Sequence, residues 1–332
     1  MTSLATRAEV IKLAREFHVD AGDLVFLQDA PPEAIRTFRS AVAAQLDAPH
    51  RPMFRRLGAA SGLVPNSIAV AVATRYFGPM LCGMVSTEIG ADRAAKLIGH
   101  VPVDFLADTA PYIDPGAAVS LIRQLPTETM MPTMQELLRR KDYVTLARFI
   151  TAVTDEQLID ALPLVESGED LLLTAFNAEG MDGFEVAMAS LTEERIQSII
   201  QAAVDHDQFA EALTFLPHLS VDTLRRVADA TAAMGPTVLI AMVESAHREN
   251  AWAELVPVVA VMSPDNLAVQ ANLDVWNDEN LTGAIEATRE NDLWHSLRPL
   301  IAAMDTTRRG RLRDLPIVTE LDVRAALGDL LE

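Results

Sequence analysis

The sequence predicts an all-α protein: an array of short helical repeats behind a distinct N-terminal helical cap. Three observations predict it. First, Ile89-Gly-Ala-Asp-Arg-Ala-Ala-Lys-Leu-Ile-Gly-His-Val-Pro102 is echoed, without gaps, by Ile113-Asp-Pro-Gly-Ala-Ala-Val-Ser-Leu-Ile-Arg-Gln-Leu-Pro126, and five of the fourteen positions are identical. A fixed period that spans no more than two short helices marks a helical repeat. Second, Tyr143, Phe209, Trp252 and Trp294 each stand eleven residues before a helix-capping residue: Thr154, Ser220, Ser263 and Asp305. The last three aromatics recur at almost equal intervals, and the first interval exceeds these by about one unit of the shorter repeat. Third, no segment alternates apolar and polar residues long enough to demand a strand. Val256–Met262 is the one β-branched run that reads either way, and its place in the repeat favours a helix.

Composition fits such an array. Half of the 332 residues are apolar but only 5% are aromatic, which suits thin layers of aliphatic helices. Cys82 is the only cysteine, so neither an intrachain disulfide nor a thiolate metal cluster is available, and a reducing cytoplasm is the expected location. The net charge is −20, while residues 1–60 sum to +1. That field disfavours nucleic acid and anionic membrane, and favours basic protein partners or cations. Of 27 basic residues 24 are arginine, read here as compositional bias. Met1–Arg15 shows no secretory signal. Ile68–Val85 is the most lipid-like stretch, but Arg75 and Gly78-Pro79 break it, and it reads as buried core helices rather than an integral membrane segment.

In chain order, Thr6-Arg-Ala-Glu9 matches a capping box and precedes the stripe Val10, Leu13, Ala14 and Phe17. Asp20–Ala30 reads as a short second helix. Pro31-Pro32-Glu33 opens a third, with Ile35, Phe38, Val42 and Leu46 as its apolar stripe. His50–Arg56 reads as a basic connector. Residues 1–60 form the expected cap and residues 61–332 the array. Within it Asp114 is an N-cap, Pro102, Pro126, Pro163 and Pro217 punctuate helices, and Ser263-Pro264-Asp265 is the cleanest cap. A break between two arms is expected at 177–183. Leu321–Glu332 reads as a last amphipathic helix.

Leu121-Ile-Arg-Gln-Leu-Pro-Thr-Glu128 and Thr154-Asp-Glu-Gln-Leu-Ile-Asp-Ala-Leu-Pro163 resemble the cytoplasmic N-terminal domain of MgtE-type magnesium transporters. The resemblance is best over Ser86–Asp170, a quarter of the chain. It implies a right-handed superhelix of short helices, of a kind similar to that in flagellar motor-switch proteins. In those transporters magnesium lies between cystathionine-synthase-type sensor modules. No such module and no transmembrane pore is recognisable here, so the resemblance carries no ligand residue over.

Catalytic and nucleotide-binding signatures are absent: no phosphate loop, no G-x-G-x-x-G after a strand, no G-x-S-x-G, no H-E-x-x-H. The expectation is a non-enzyme without cofactor or metal. Cys82 lies in an apolar run and reads as a small hydrophobe. Asp205-His206-Asp207 is the one cluster resembling a metal set. Glu166, Glu169, Asp170 and Asn277-Asp-Glu-Asn280 are acidic turns that read either as solvated loops or as weak magnesium sites. Met130, Met131 and Met134 read as core filler. Arg308, Arg309, Arg311 and Arg313 are the sharpest charge feature, and Arg55 and Arg56 form a second patch. Each reads either as a docking patch for an acidic partner, a second copy included, or as a solvated helix terminus. The functional expectation is a scaffold or protein-interaction module. Its alternatives are a soluble sensor of magnesium or a small apolar ligand, and an enzyme with no recognisable motif.

Overall fold

The computed structural model describes residues 4–331 apart from His18, Glu179 and Asp182. Among the described residues all regular structure is helical and no strand occurs. Val256–Met262 accordingly falls within and just after the helix Trp252–Ala260. The chain divides into two compact units. One comprises Met1–Glu166 with Leu173–Ala187, the other Ser167–Leu172 with Met188–Glu332. The expected break at 177–183 lies partly outside the described residues.

The first unit begins with the helix Leu4–Phe17, the 3-10 turn Ala21–Leu27 and the helix Pro32–Asp47. Val10, Leu13, Ala14, Leu24 and Ile35 close their core. The expected capping box does not form. The helix starts at Leu4, which puts Thr6 inside the first turn, where its hydroxyl donates to Ala30 O at 3.3 Å. Glu9 instead faces inward and accepts from Lys12 (2.9 Å), Arg36 (3.3 Å) and Arg39 (3.4 Å). Glu9, Lys12 and Arg39 are all buried, which charged groups tolerate only when paired. This cluster also rotates the expected stripe of Pro32–Asp47. Arg39 takes the inward position one turn after Ile35, and Phe38 is left 53% exposed. Leu46 lies outside the side chains described. The expected connector at His50–Arg56 is also helical from Arg51 on, within Arg51–Ser61, with His50 at the N-cap position.

The duplicated motif is structural. Gly90 caps Ala91–Ile98 and Pro102 opens Val103–Thr109; Asp114 caps Pro115–Ile122 and Pro126 opens Thr127–Arg139. Asp114 accepts from Gly116 N at 3.0 Å, as an N-cap should. Pro163 and Pro217 sit in 3-10 turns.

The longer register is sharper still. Tyr143, Phe209, Trp252 and Trp294 are each the first residue of a helix, and Thr154, Ser220, Ser263 and Asp305 are each the N-cap of the next. Two residues before each aromatic, Lys141, Asp207, Asn250 and Asp292 are the four non-glycine residues with positive φ among those described, at 54–55°. They end the helices Thr127–Arg139, Glu193–Asp205, Pro236–Glu249 and Asp278–Glu290. The following amide bonds back across the end each time: Asp142 N to Leu137 O, Gln208 N to Ala203 O, Ala251 N to Ala246 O and Leu293 N to Thr288 O, at 2.8–3.0 Å. This is the left-handed helix stop made without glycine. Ser263 departs from expectation. It occupies the cap position, but its side chain makes no cap bond, and its N–H donates to Asp229 at 2.9 Å.

In the second unit most helices pack on the second-next or third-next one. Glu193–Asp205 lies against Val221–Ala233, and Trp252–Ala260 against Asp278–Glu290 and Trp294–Ala303. Trp252 and Trp276 are 1% exposed, with ring centroids 6.0 Å apart, and Trp276 donates to Gln270 O at 2.8 Å. A side chain on Gly283 would come within 2.5 Å of Trp252 Nε1, so glycine there sets how closely the helices approach. Trp294, at the equivalent position, is only half-buried.

Candidate interaction surfaces

The C-terminal arginine run lies on the helix Thr306–Arg313, and its members do different things. Arg308 is 19% exposed and holds Asp305 at 2.6 Å, Asp274 at 2.8 Å and Leu273 O at 3.4 Å. It is a structural tie. The Arg308 amide and guanidinium in turn hold the Asp305 carboxyl below its usual pKa. Arg311 stands 3.6 Å from Asp278 and is half-exposed. Arg309 and Arg313 lie one turn apart, with no carboxylate partner among the described residues; Arg309 Nε is buried without a hydrogen bond. In the other patch Arg55 reaches Glu88 at 3.1 Å, while Arg56 is exposed and unpaired among the described residues.

The acidic turns have local explanations. Ser167 caps Gly168–Phe176 by accepting from the amides of Glu169 and Asp170. Asn277 caps Asp278–Glu290 by accepting from Asn280 N at 2.9 Å. The carboxylates of Glu169, Asp170, Asp278 and Glu279 thus lie in first turns, where the helix dipole favours negative charge, while Glu166 precedes its helix. Asp205, His206 and Asp207 diverge: Asp205 accepts from Gln201, His206 stands 3.4 Å from Glu169, and Asp207 pairs with Arg248. The described residues hold no group of three potential metal ligands. Burial pushes the Cys82 thiol up to about 11, so little thiolate exists at neutral pH.

Two features escaped the sequence. The first is the work done by arginine. Short helices leave many C-terminal carbonyls without partners. Arginines 28–37 residues away in the chain supply the donors. Arg93 bonds Ser61 O and Val64 O, Arg148 bonds Pro111 O and Ile113 O, and Arg226 bonds Ala189 O and Leu191 O. Arg225, Arg298 and Arg308 do the same at Val261, Ala326 and Leu273. The arginine excess therefore has a structural use beyond compositional bias. No spacing rule in the sequence marks these pairs, because each depends on where a distant helix ends.

The second is the exposure of the run Asn66–Ser86, which contains the stretch Ile68–Val85 expected in the core. Only 11% of its most apolar window is buried, and by length and composition it is long and apolar enough to cross a membrane. It comprises Asn66–Val72, a π-turn Ala73–Phe77 and Gly78–Ser86, with the backbone turning at Gly78 (φ 75°, ψ 169°). Leu63 (86%), Ile68 (51%), Tyr76 (73%) and Met80 (48%) are exposed, as are Val72 and Phe77. The Arg75 guanidinium lies 5.8 Å from the Tyr76 ring centroid. Residues 48–87 contain four arginines and no acidic residue, which counting charges would have revealed.

No family model, no curated protein and no solved structure matches the chain.

Proposed function

We propose that this chain is a non-enzymatic scaffold whose helical hairpins stack as a right-handed superhelix and present a face to a protein partner. The recurring left-handed stop supports this reading most strongly. Four hairpins end their first helix at an equivalent residue, Lys141, Asp207, Asn250 or Asp292, and start the second at an aromatic two residues on. Repeats built to one plan produce extended surfaces rather than a single catalytic cleft. The likeness of Ser86–Asp170 to the MgtE-type cytoplasmic domain points the same way.

The free arginines of Thr306–Arg313 are the contact to test. Affinity capture from the native host followed by calorimetry on the recovered partner is the experiment. A single partner binding saturably is the expected result. The Arg309→Gln/Arg313→Gln double variant weakens it at unchanged melting temperature, whereas Arg308→Gln lowers the melting temperature because it removes an internal tie. Failure of any captured protein to bind saturably sinks the reading.

A further inference from the structure

We infer that residues 48–87 form a docking face for an anionic lipid surface, lying along it rather than crossing it. Three observations carry this. The face is apolar and uncovered: eight of the nineteen large hydrophobic side chains exposed among the described residues fall between Met53 and Met80. Ile68, Val72 and Tyr76 recur every fourth residue along the helical run, and Met80 follows the turn at Gly78. The face is also cationic, with Arg51, Arg55, Arg56 and Arg75 all exposed. The helix Arg51–Ser61, which carries three of the arginines, packs beside Gly78–Ser86, the last segment of the apolar run. Finally, the face has no acid of its own. Among the described residues only Glu88, at its edge, pairs with one of these arginines, Arg55.

The positive charge is local to this face. Residues 48–87 carry +4, leaving −24 on the other 292 residues. At physiological salt, charges are screened beyond about 8 Å, so a surface in contact with this face responds to the local arginines rather than to the net charge. Exposed apolar and aromatic side chains flanked by arginines are the composition of an interfacial segment on anionic lipid. A spanning orientation is opposed by Arg75, which stands near the middle of the run and would sit at the bilayer centre. Gly78 and Pro79 also interrupt a straight span. Lying flat, Arg75 reaches the headgroups while Tyr76 and Val72 enter the acyl boundary.

The test is flotation of the full chain with two kinds of vesicle: phosphatidylcholine alone, and equal parts phosphatidylcholine and phosphatidylglycerol. Binding to the anionic vesicles only, released by raised salt, is expected. Arg75→Gln should cut partitioning about fivefold, the effect of one basic residue near such a surface. Ile68→Ser/Tyr76→Ser should abolish it. All three side chains are exposed, so these variants keep the fold, and the salt and lipid comparison needs no variant at all. Absent or lipid-independent binding overturns the inference. So does binding that survives both high salt and an alkaline wash, which marks a spanning segment. Sedimentation gives the remaining outcome: self-association abolished by the same variants, without vesicle binding, overturns it too and assigns the face to a second copy of the chain.

Discussion

An arginine that bonds two carbonyls does what a lysine in its place cannot. Its planar fork presents donors on separate nitrogens at fixed angles, whereas an ammonium must reach both acceptors from a single nitrogen. Arg226 shows the geometry: one terminal nitrogen donates to Ala189 O at 2.9 Å and the other to Leu191 O at 2.7 Å. Replacing it with lysine keeps the charge but loses one of the two bonds. Arg226→Lys should therefore lower the unfolding free energy of the chain by about 1 kcal/mol, read from the urea midpoint at unchanged slope. An unchanged midpoint would mean that water serves these carbonyls as well as arginine does. Glutamine takes the same part at Gln157, which donates to Ile122 O and Leu125 O while its carbonyl completes the capping box of Thr154. The cap at Thr154 was legible because its partners are local. The box expected at Thr6 and Glu9 failed, because the helix begins at Leu4 and three cations claim Glu9.

At the scale of the element, the left-handed stop tests the repeat. A non-glycine residue at positive φ is strained by its own Cβ, and glycine removes that strain at some entropic cost in the unfolded chain. Lys141→Gly should raise stability by about 0.5–1 kcal/mol, while Asn250→Val should lower it by at least about 1 kcal/mol, since a β-branched residue tolerates this region worst. Paired thermal melts decide, and the two shifts must have opposite signs. The aromatic-to-cap register was visible in the sequence because aromatics and caps are chemically distinctive. The stop between helices was not: lysine, aspartate and asparagine hold it in turn, and only backbone geometry unites them. The exposure of Asn66–Ser86 was illegible for another reason. An apolar run has the same composition whether a neighbouring helix covers it or not, and that choice is made by the tertiary structure.

For the whole molecule, these local rules place the charge and the apolar surface unevenly. The acid-free face at 48–87 is confined to the first unit, and the unpaired arginines Arg309 and Arg313 to the second. The turns at Asn250 and Asp292 then have a consequence for how this chain can change length. Their separation along the chain equals that of Trp252 and Trp294, so the chain carries a ruler for insertion and deletion. Excising Trp252–Leu293 joins Ala251 to Trp294 and leaves one intact stop ahead of one intact helix start. That shortened chain should still melt in a single cooperative transition, at a lower temperature. Excising two residues more should not, because the next helix would begin out of phase with its cap. Circular dichroism of the two deletions checks this, and equal behaviour would refute it. Gene-level gain or loss in this protein should then come in steps of one hairpin, with intermediate lengths selected against at the level of folding.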